Sequence, residues 1–193
     1  MSILSPESST NYTYSDYLKW PEEERWEIIN GVPYLMSPAP STEHQRISTR
    51  LIAQLELFAA DKPCSIFHAP FDVRLPRQDE PDEDVNTVVQ PDIVVVCDQN
   101  KLDSRGCKGA PDLLVEIISL STAKKDLNEK FNLYERSGVR EYWIVWPNFQ
   151  AIDIYHLNEQ GKYEKIASFS PGDTLSSKLI PGLDIKVERV FAK

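Results

Sequence analysis

Apolar residues along the chain fall into short runs and stripes that predict helices alternating with strands. Residues 25–29 and 32–36 flank Asn30-Gly31, a pair that accepts positive φ and predicts a β-hairpin. Pro38-Ala39-Pro40 then breaks the chain, and Ser41 or Thr42 can cap a helix in which Ile47, Leu51, Leu55 and Phe58 recur at spacings of three and four. The alternation over 66–75 predicts one strand, with Phe71, Val73 and Leu75 on one face and Asp72 and Arg74 on the other. The run 93–96 is apolar throughout and 113–118 is apolar but for Glu116, the mark of strands covered on both faces. Thr122 can cap a helix to about Arg136, which Gly138 stops. Strands at 141–145 and 151–157, and a hairpin through Glu159-Gln160-Gly161 into 163–169, complete the core. Near the start, a short helix around 15–20 ends at Pro21. The expected architecture is a single α/β domain (α+β-like) over residues 14–193, a mixed central sheet flanked by helices, preceded by a disordered stretch at 1–13.

Composition narrows the classes. The chain has 193 residues, long enough to bury a core without staples. No apolar run approaches the roughly 20 residues of a membrane span, and the polar N-terminus lacks a signal-peptide pattern, so a cytoplasmic protein with no membrane partner is expected. Three cysteines, Cys64, Cys97 and Cys107, form no Cys-x-x-Cys pair, which argues against a disulfide framework and predicts buried reduced thiols. A net charge of −9 argues against a protein that coats nucleic acid non-specifically. Much of that excess lies in residues 79–84, which read as a solvated loop.

Candidate chemistry comes from acids on strands that otherwise read as buried. Asp92 opens the run 93–96, and Glu116 interrupts 113–118; an ionised carboxylate there is costly unless it is paired, hydrogen-bonded or bound to a metal. Asp82, in the acidic loop, is expected to face solvent. Asp112 shares a strand face with Glu116, but four residues at about 3.3 Å each leave it roughly 13 Å away, too far for one ion. Asp92 lies on a different strand, and adjacent strands about 4.8 Å apart could let it converge with Glu116 in a suitable register. Two such carboxylates make a hard oxygen site suited to Mg²⁺ or Mn²⁺. On the following helix, Ala123, Leu127, Phe131 and Tyr134 mark the inward face, and Lys130 falls within it.

Each feature also has a plainer reading. Glu116 and Lys130 could form a structural ion pair, and Asp126 with Lys130 a surface pair at i,i+4. Glu43 and His44 flank the apolar stripe of the first long helix and are expected to point toward the sheet. Glu43 could equally be a first-turn acid favoured by the helix dipole, and His44 a hydrogen-bonding residue at the helix start.

The segments Gln90-Pro91-Asp92, Val115-Glu116-Ile117-Ile118-Ser119, Asp126-Leu127 with Lys130 and Tyr134, and Glu141-Tyr142-Trp143-Ile144-Val145 resemble the Uma-type family of restriction endonuclease-like proteins, within the PD-(D/E)xK nuclease superfamily. The resemblance extends from about Trp26 through Pro40–Ile47 to Leu183. It implies a restriction-endonuclease-like core, Asp92 and Glu116 as metal ligands, and cleavage of phosphodiester bonds in DNA by metal-activated water. The superfamily pattern puts a lysine two residues after the second acid, where this chain has Ile118; Lys130 is the natural substitute. The resemblance also relates Glu43 to the superfamily's first-helix acid and His44 to its helix-start motif. The expected activity is a Mg²⁺- or Mn²⁺-dependent endonuclease acting on DNA, with a homodimer favoured if both strands are cut. The competing expectations are a catalytically silent nucleic-acid- or protein-binding module on a nuclease fold, and a hydrolase of another phosphoester.

Overall fold

A computed structural model describes residues 11–21, 23–36, 39–119 and 125–192. In chain order these form α1 (Tyr14–Tyr17), β1 (Trp26–Ile29), β2 (Val32–Leu35), α2 (Thr42–Ala59), β3 (Ser65–His68), β4 (Val73–Arg74), β5 (Val88–Val89), β6 (Ile93–Val96), β7 (Leu102–Asp103), β8 (Gly106–Lys108) and β9 (Leu113–Ile117). A π-helical turn (Lys125–Lys130) runs into α3 (Phe131–Ser137), followed by β10 (Glu141–Trp146), β11 (Ala151–Leu157), β12 (Tyr163–Phe169), β13 (Thr174–Leu175), β14 (Ile185–Lys186) and α4 (Val187–Phe191). The architecture is mixed α/β, as the pattern predicts. Among the described residues it holds two six-stranded mixed sheets, ordered β2-β1-β5-β4-β8-β7 and β12-β11-β10-β9-β6-β3.

The second sheet is the core. Its central strands bury both faces because their residues alternate between two apolar layers. Ile93, Val95, Leu113, Val115, Trp143 and Val145 pack with Ile47, Leu51 and Leu55 of α2 on one side. Val94, Val96, Leu114, Tyr142 and Ile144 pack with Leu133 and Tyr134 of α3 on the other. The Ser41 side chain caps α2 by accepting the His44 amide at 3.2 Å. Asn30 and Gly31 both take positive φ, 53° and 79°, in the β1–β2 turn, where β1 and β2 pair antiparallel.

Four expectations need correction. The predicted strand over 66–75 is two strands in two sheets: β3 pairs with β6, and β4 pairs with β5 and β8. Both pieces show the same alternation, so periodicity alone could not reveal the change of sheet. Asp82 is not merely solvated, because it and Asp103 accept the fully buried Arg74 guanidinium at 2.6 and 2.7 Å. Residues 12 and 13 belong to the fold rather than to a disordered stretch: the Tyr12 amide donates to the Gly31 carbonyl and Thr13 caps α1. The predicted Thr122 cap and Ala123 lie outside the described residues.

The fourth correction concerns the cysteines. Cys64 and Cys97 form a disulfide, and Cys107 alone is a buried free thiol, pushed up to about 11 chiefly by burial. The β3–β6 register pairs Ser65 with Val96, which makes Cys64 and Cys97 neighbours at the strand ends, a long-range adjacency that cysteine spacing cannot reveal. The bridge spans 33 residues of sequence, and closing a loop of that size is worth about 2–4 kcal/mol. Urea denaturation with and without reductant should therefore show the reduced protein less stable by that amount. An unchanged midpoint would show that the bridge does not constrain the unfolded chain.

Candidate active site

Strand pairing brings the two strand-borne acids together. β6 and β9 run antiparallel with Ile93 opposite Val115, and that register, carried one residue further, sets Asp92 opposite Glu116. The Ile117 amide donates to Asp92 Oδ2 at 2.7 Å, so Asp92 takes up a peptide N–H at the end of β9. Glu116 lies on the face covered by the helix of Lys130 and Tyr134. Its Oε1 accepts both the Lys130 ammonium at 2.9 Å and the Tyr134 hydroxyl at 2.7 Å.

A third acid comes from the other sheet. Glu27, on β1 and fully buried, accepts Lys130 Nζ at 2.8 Å and the Gln90 amide at 2.9 Å through the same oxygen, Oε1. Asp126, one turn before Lys130, lies 3.8 Å from its ammonium. The i→i+5 bonding of the π-helical turn loosens the helix where these two residues enter the cluster, a device often found at functional sites. One lysine is thus surrounded by Glu27, Glu116 and Asp126, all at most 4% exposed.

The electrostatics follow from that imbalance. Burial raises the Glu116 pKa to about 8; Lys130 works against the rise, and Asp126, Asp92 and Glu27 add to it. Burial alone would lower the Lys130 pKa, but the facing carboxylates of Glu116, Glu27 and Asp126 overcome it and hold the ammonium well above its usual value. Lys130 therefore stays charged while the acid opposite it titrates near neutrality.

The cluster forms part of the lining of a cavity of about 840 Å³. Glu27, Gln90, Asp92, Glu116, Asp126 and Lys130 contribute its polar side, and Tyr34, Met36, Ile52 and Ile117 are among its apolar walls. His44, in the first turn of α2, reaches the same cavity, with Nε2 3.1 Å from Asp92 Oδ2. Its Nδ1 is buried with no hydrogen-bond partner among the described residues.

Of the residues singled out in the sequence, Asp92, Glu116, Lys130 and His44 thus line one cavity. Glu43 does not: it is exposed and absent from the lining, because one helical step of about 100° separates it from His44. Asp112 is set apart as expected, accepting the Cys97 amide at 2.7 Å and Arg140 at 3.3 Å. Sequence reasoning missed Glu27, although it carries the same signal as Glu116, an acid inside the apolar run Trp26-Glu27-Ile28-Ile29. Gln90 is the other omission. Its side-chain amide donates to the Tyr17 hydroxyl and to Asp72, while its oxygen accepts Arg25, so it ties α1 and the first sheet to the Asp92 segment.

The donor set fits a hard divalent cation. Among the described residues no three His, Cys, Asp or Glu side chains are grouped to hold a metal on their own. Mg²⁺ does not require that, since it binds through one or two carboxylates and keeps several waters. The opposed Asp92 and Glu116 offer that many, and the excess of acids over the single lysine favours a further cation.

Comparison with known proteins gives the family and the fold. The family model described as "Uma2: Putative restriction endonuclease" matches residues 14–188. An uncharacterised protein of Synechocystis sp., slr1290, is 30% identical over 193 residues, covering 97% of this chain and 91% of its own. A second Synechocystis protein, sll1609, is 28% identical over 138 residues, covering 69% and 73%. A crystal structure from Anabaena variabilis, described as "a putative nuclease belonging to DUF820", superposes with a TM-score of 0.73 at 18% identity, covering 94% of this chain and 98% of that one. The last likeness is one of fold. No helix of the described residues is long and apolar enough to cross a membrane.

Proposed function

The chain belongs to the Uma2 family of restriction endonuclease-like proteins, and on that premise we propose that it hydrolyses phosphodiester bonds of DNA in a divalent-metal-dependent reaction. The observation that carries this reading is the register that opposes Asp92 and Glu116 at one wall of a cavity, with Lys130 beside them. Asp92 and Glu116 would hold the ion. Bound there, Mg²⁺ or Mn²⁺ supplies Lewis acidity, lowering the pKa of a bound water and offsetting phosphoryl charge.

The chain's own groups supply the rest. The Ile117 amide and His44 both hold the Asp92 carboxylate at Oδ2, and the Tyr134 hydroxyl fixes Glu116. Lys130 keeps its proton and presents a fixed positive charge toward developing negative charge on the phosphate. Glu27 and Asp126 hold that ammonium in place.

Two measurements test the reading. Purified protein with supercoiled plasmid and Mn²⁺ or Mg²⁺ should nick DNA, and Asp92→Asn should remove the activity; no nicking with either ion would reject it. Cation binding should also stabilise the fold, by about 2.7 kcal/mol at a hundredfold excess over Kd. The sign of its pH dependence follows from Glu116. Its folded pKa, about 8, lies above the ordinary 4.5, so its contribution is present in full below 4.5 and is lost as the pH rises through about 8. A cation replaces the proton on that carboxylate, so the Mn²⁺-induced rise in melting temperature should be larger at pH 8 than at pH 6. A catalytically silent module, for which Lys130 already compensates Glu116, predicts neither nicking nor a Mn²⁺ shift at any pH.

A further inference from the structure

Two arginines meet at the tip of the β1–β2 hairpin with a single neutral oxygen between them. Arg77 donates to Asn30 Oδ1 at 3.0 Å, and Arg136, in the last turn of α3, donates to the same oxygen at 2.5 Å. The neighbouring carboxylates are engaged elsewhere: Glu80 accepts the main-chain N–H of Arg77, and Glu135 accepts Lys162 and the Tyr163 amide. No ion pair to either guanidinium forms among the described residues. Burial and the facing Arg77 together hold the Arg136 pKa below its ordinary value, the mark of two like charges held close. In a chain of net charge −9, two cations sharing an amide oxygen form a local exception.

The frame behind them is fixed. Asn30 occupies the left-handed region at φ 53°, with its amide bonded to Thr87 Oγ1 at 3.2 Å. Asn30, Arg77 and Arg136 are all exposed residues, so the pair lies at the surface. Paired planar forks match the oxygens of a phosphate, and Arg is the side chain best suited to hold one in two-point contact.

We propose that Arg77 and Arg136, set across Asn30, form a phosphate-binding site, which on the nuclease reading holds a backbone phosphate of the substrate strand away from the cleaved one. The strand assignment rests on that reading; the phosphate site does not. Arg136 lies six residues beyond Lys130 on one continuous helix, about 9 Å at 1.5 Å per residue. That span corresponds to roughly two to three nucleotides at 3.4 Å per strand step. The hairpin that carries Asn30 also contributes Tyr34 to the cavity wall, so a strand leaving the cavity along β2 would pass this tip.

Asn30→Asp is the direct test. Aspartate tolerates positive φ as asparagine does, and it puts a carboxylate where the anion would sit. Inorganic phosphate titrated into the wild-type protein should shift the Arg77 and Arg136 Nε–Hε NMR signals. In Asn30→Asp the affinity should fall at least tenfold while the melting temperature holds, and Arg136→Gln should weaken phosphate binding in the same way. A labelled single-stranded oligodeoxynucleotide, bound in EDTA, gives the second arm. Its log K against log salt slope should be shallower by about 0.7 in Asn30→Asp, the value for one phosphate contact on a single strand. No shift in the wild type, or phosphate affinity in both variants equal to that of the wild type, overturns the site. An unchanged oligonucleotide slope beside lost phosphate binding overturns the strand assignment and leaves free phosphate as the ligand. Phosphate binding that behaves as stated in a protein that nicks no DNA upholds the site and rejects the nuclease reading alone.

Discussion

Lys130→Met is expected to cost about 3–5 kcal/mol of folding stability at pH 8, the usual consequence of removing one partner from a buried charge cluster. The reason is arithmetic at the site. Glu27, Glu116 and Asp126 are each at most 4% exposed and share this one ammonium. Methionine matches the aliphatic stem, so the loss reports the charge rather than a cavity. Protons can take over part of the lysine's role, because Glu116 already has a pKa raised to about 8 by burial. The deficit against wild type, measured by urea denaturation, should therefore shrink as the pH falls from 8 to 5. A deficit independent of pH would mean that the acids do not depend on Lys130. On the proposed function nicking should be lost as well, since the same ammonium would be the fixed cation beside the scissile phosphate.

Glu116→Gln is expected to do nearly the reverse to stability while removing activity by 10²-fold or more. Glutamine keeps the shape and can still accept the Tyr134 hydroxyl, and Lys130 retains Glu27 at 2.8 Å and Asp126 at 3.8 Å. Three acids around one lysine become two, and a group whose ionised form burial disfavours disappears. Stability at pH 8 should change by less than about 1 kcal/mol or rise, because a well-placed neutral group in a buried ionic cluster is often neutral or favourable. On the proposed function the fall in nicking would reflect a lost metal ligand and lost electrostatic organisation of the site. A variant that unfolds would show that Glu116 is a structural partner first. A stable variant that nicks normally would remove Glu116 from the reaction.

How much of this was legible in the sequence depended on whether the signal was local. The acids at 92 and 116 stood out because an apolar run makes a carboxylate conspicuous. Glu27 stands in the same kind of run, but inside a hairpin, where a polar residue looks ordinary. Lys130 could be assigned to an inward helix face, yet its partner Glu27 lies 103 positions earlier in the chain, on another sheet, and no periodicity spans such a gap. Register was equally out of reach, because the pairing of Ile93 with Val115 is a tertiary fact, and so is the Cys64–Cys97 bridge beside Ser65 and Val96. The strands β4, β5, β7 and β8 hold only two or three residues each, too few for any alternation to register.

The change of sheet within residues 65–74 sets a limit on how this chain can vary in length. Four residues, 69–72, separate a strand paired with β6 from one paired with β5 and β8. Gly106 leans on the far end of that span, where any Cβ would meet the Asp72 carbonyl oxygen at 2.2 Å. One residue added or removed there would turn every side chain of β4 to the opposite face and carry Arg74 away from Asp82 and Asp103. Homologous chains should therefore hold this spacing fixed, while the open turn around Gly161, where a Cβ meets nothing within 4 Å, is free to lengthen.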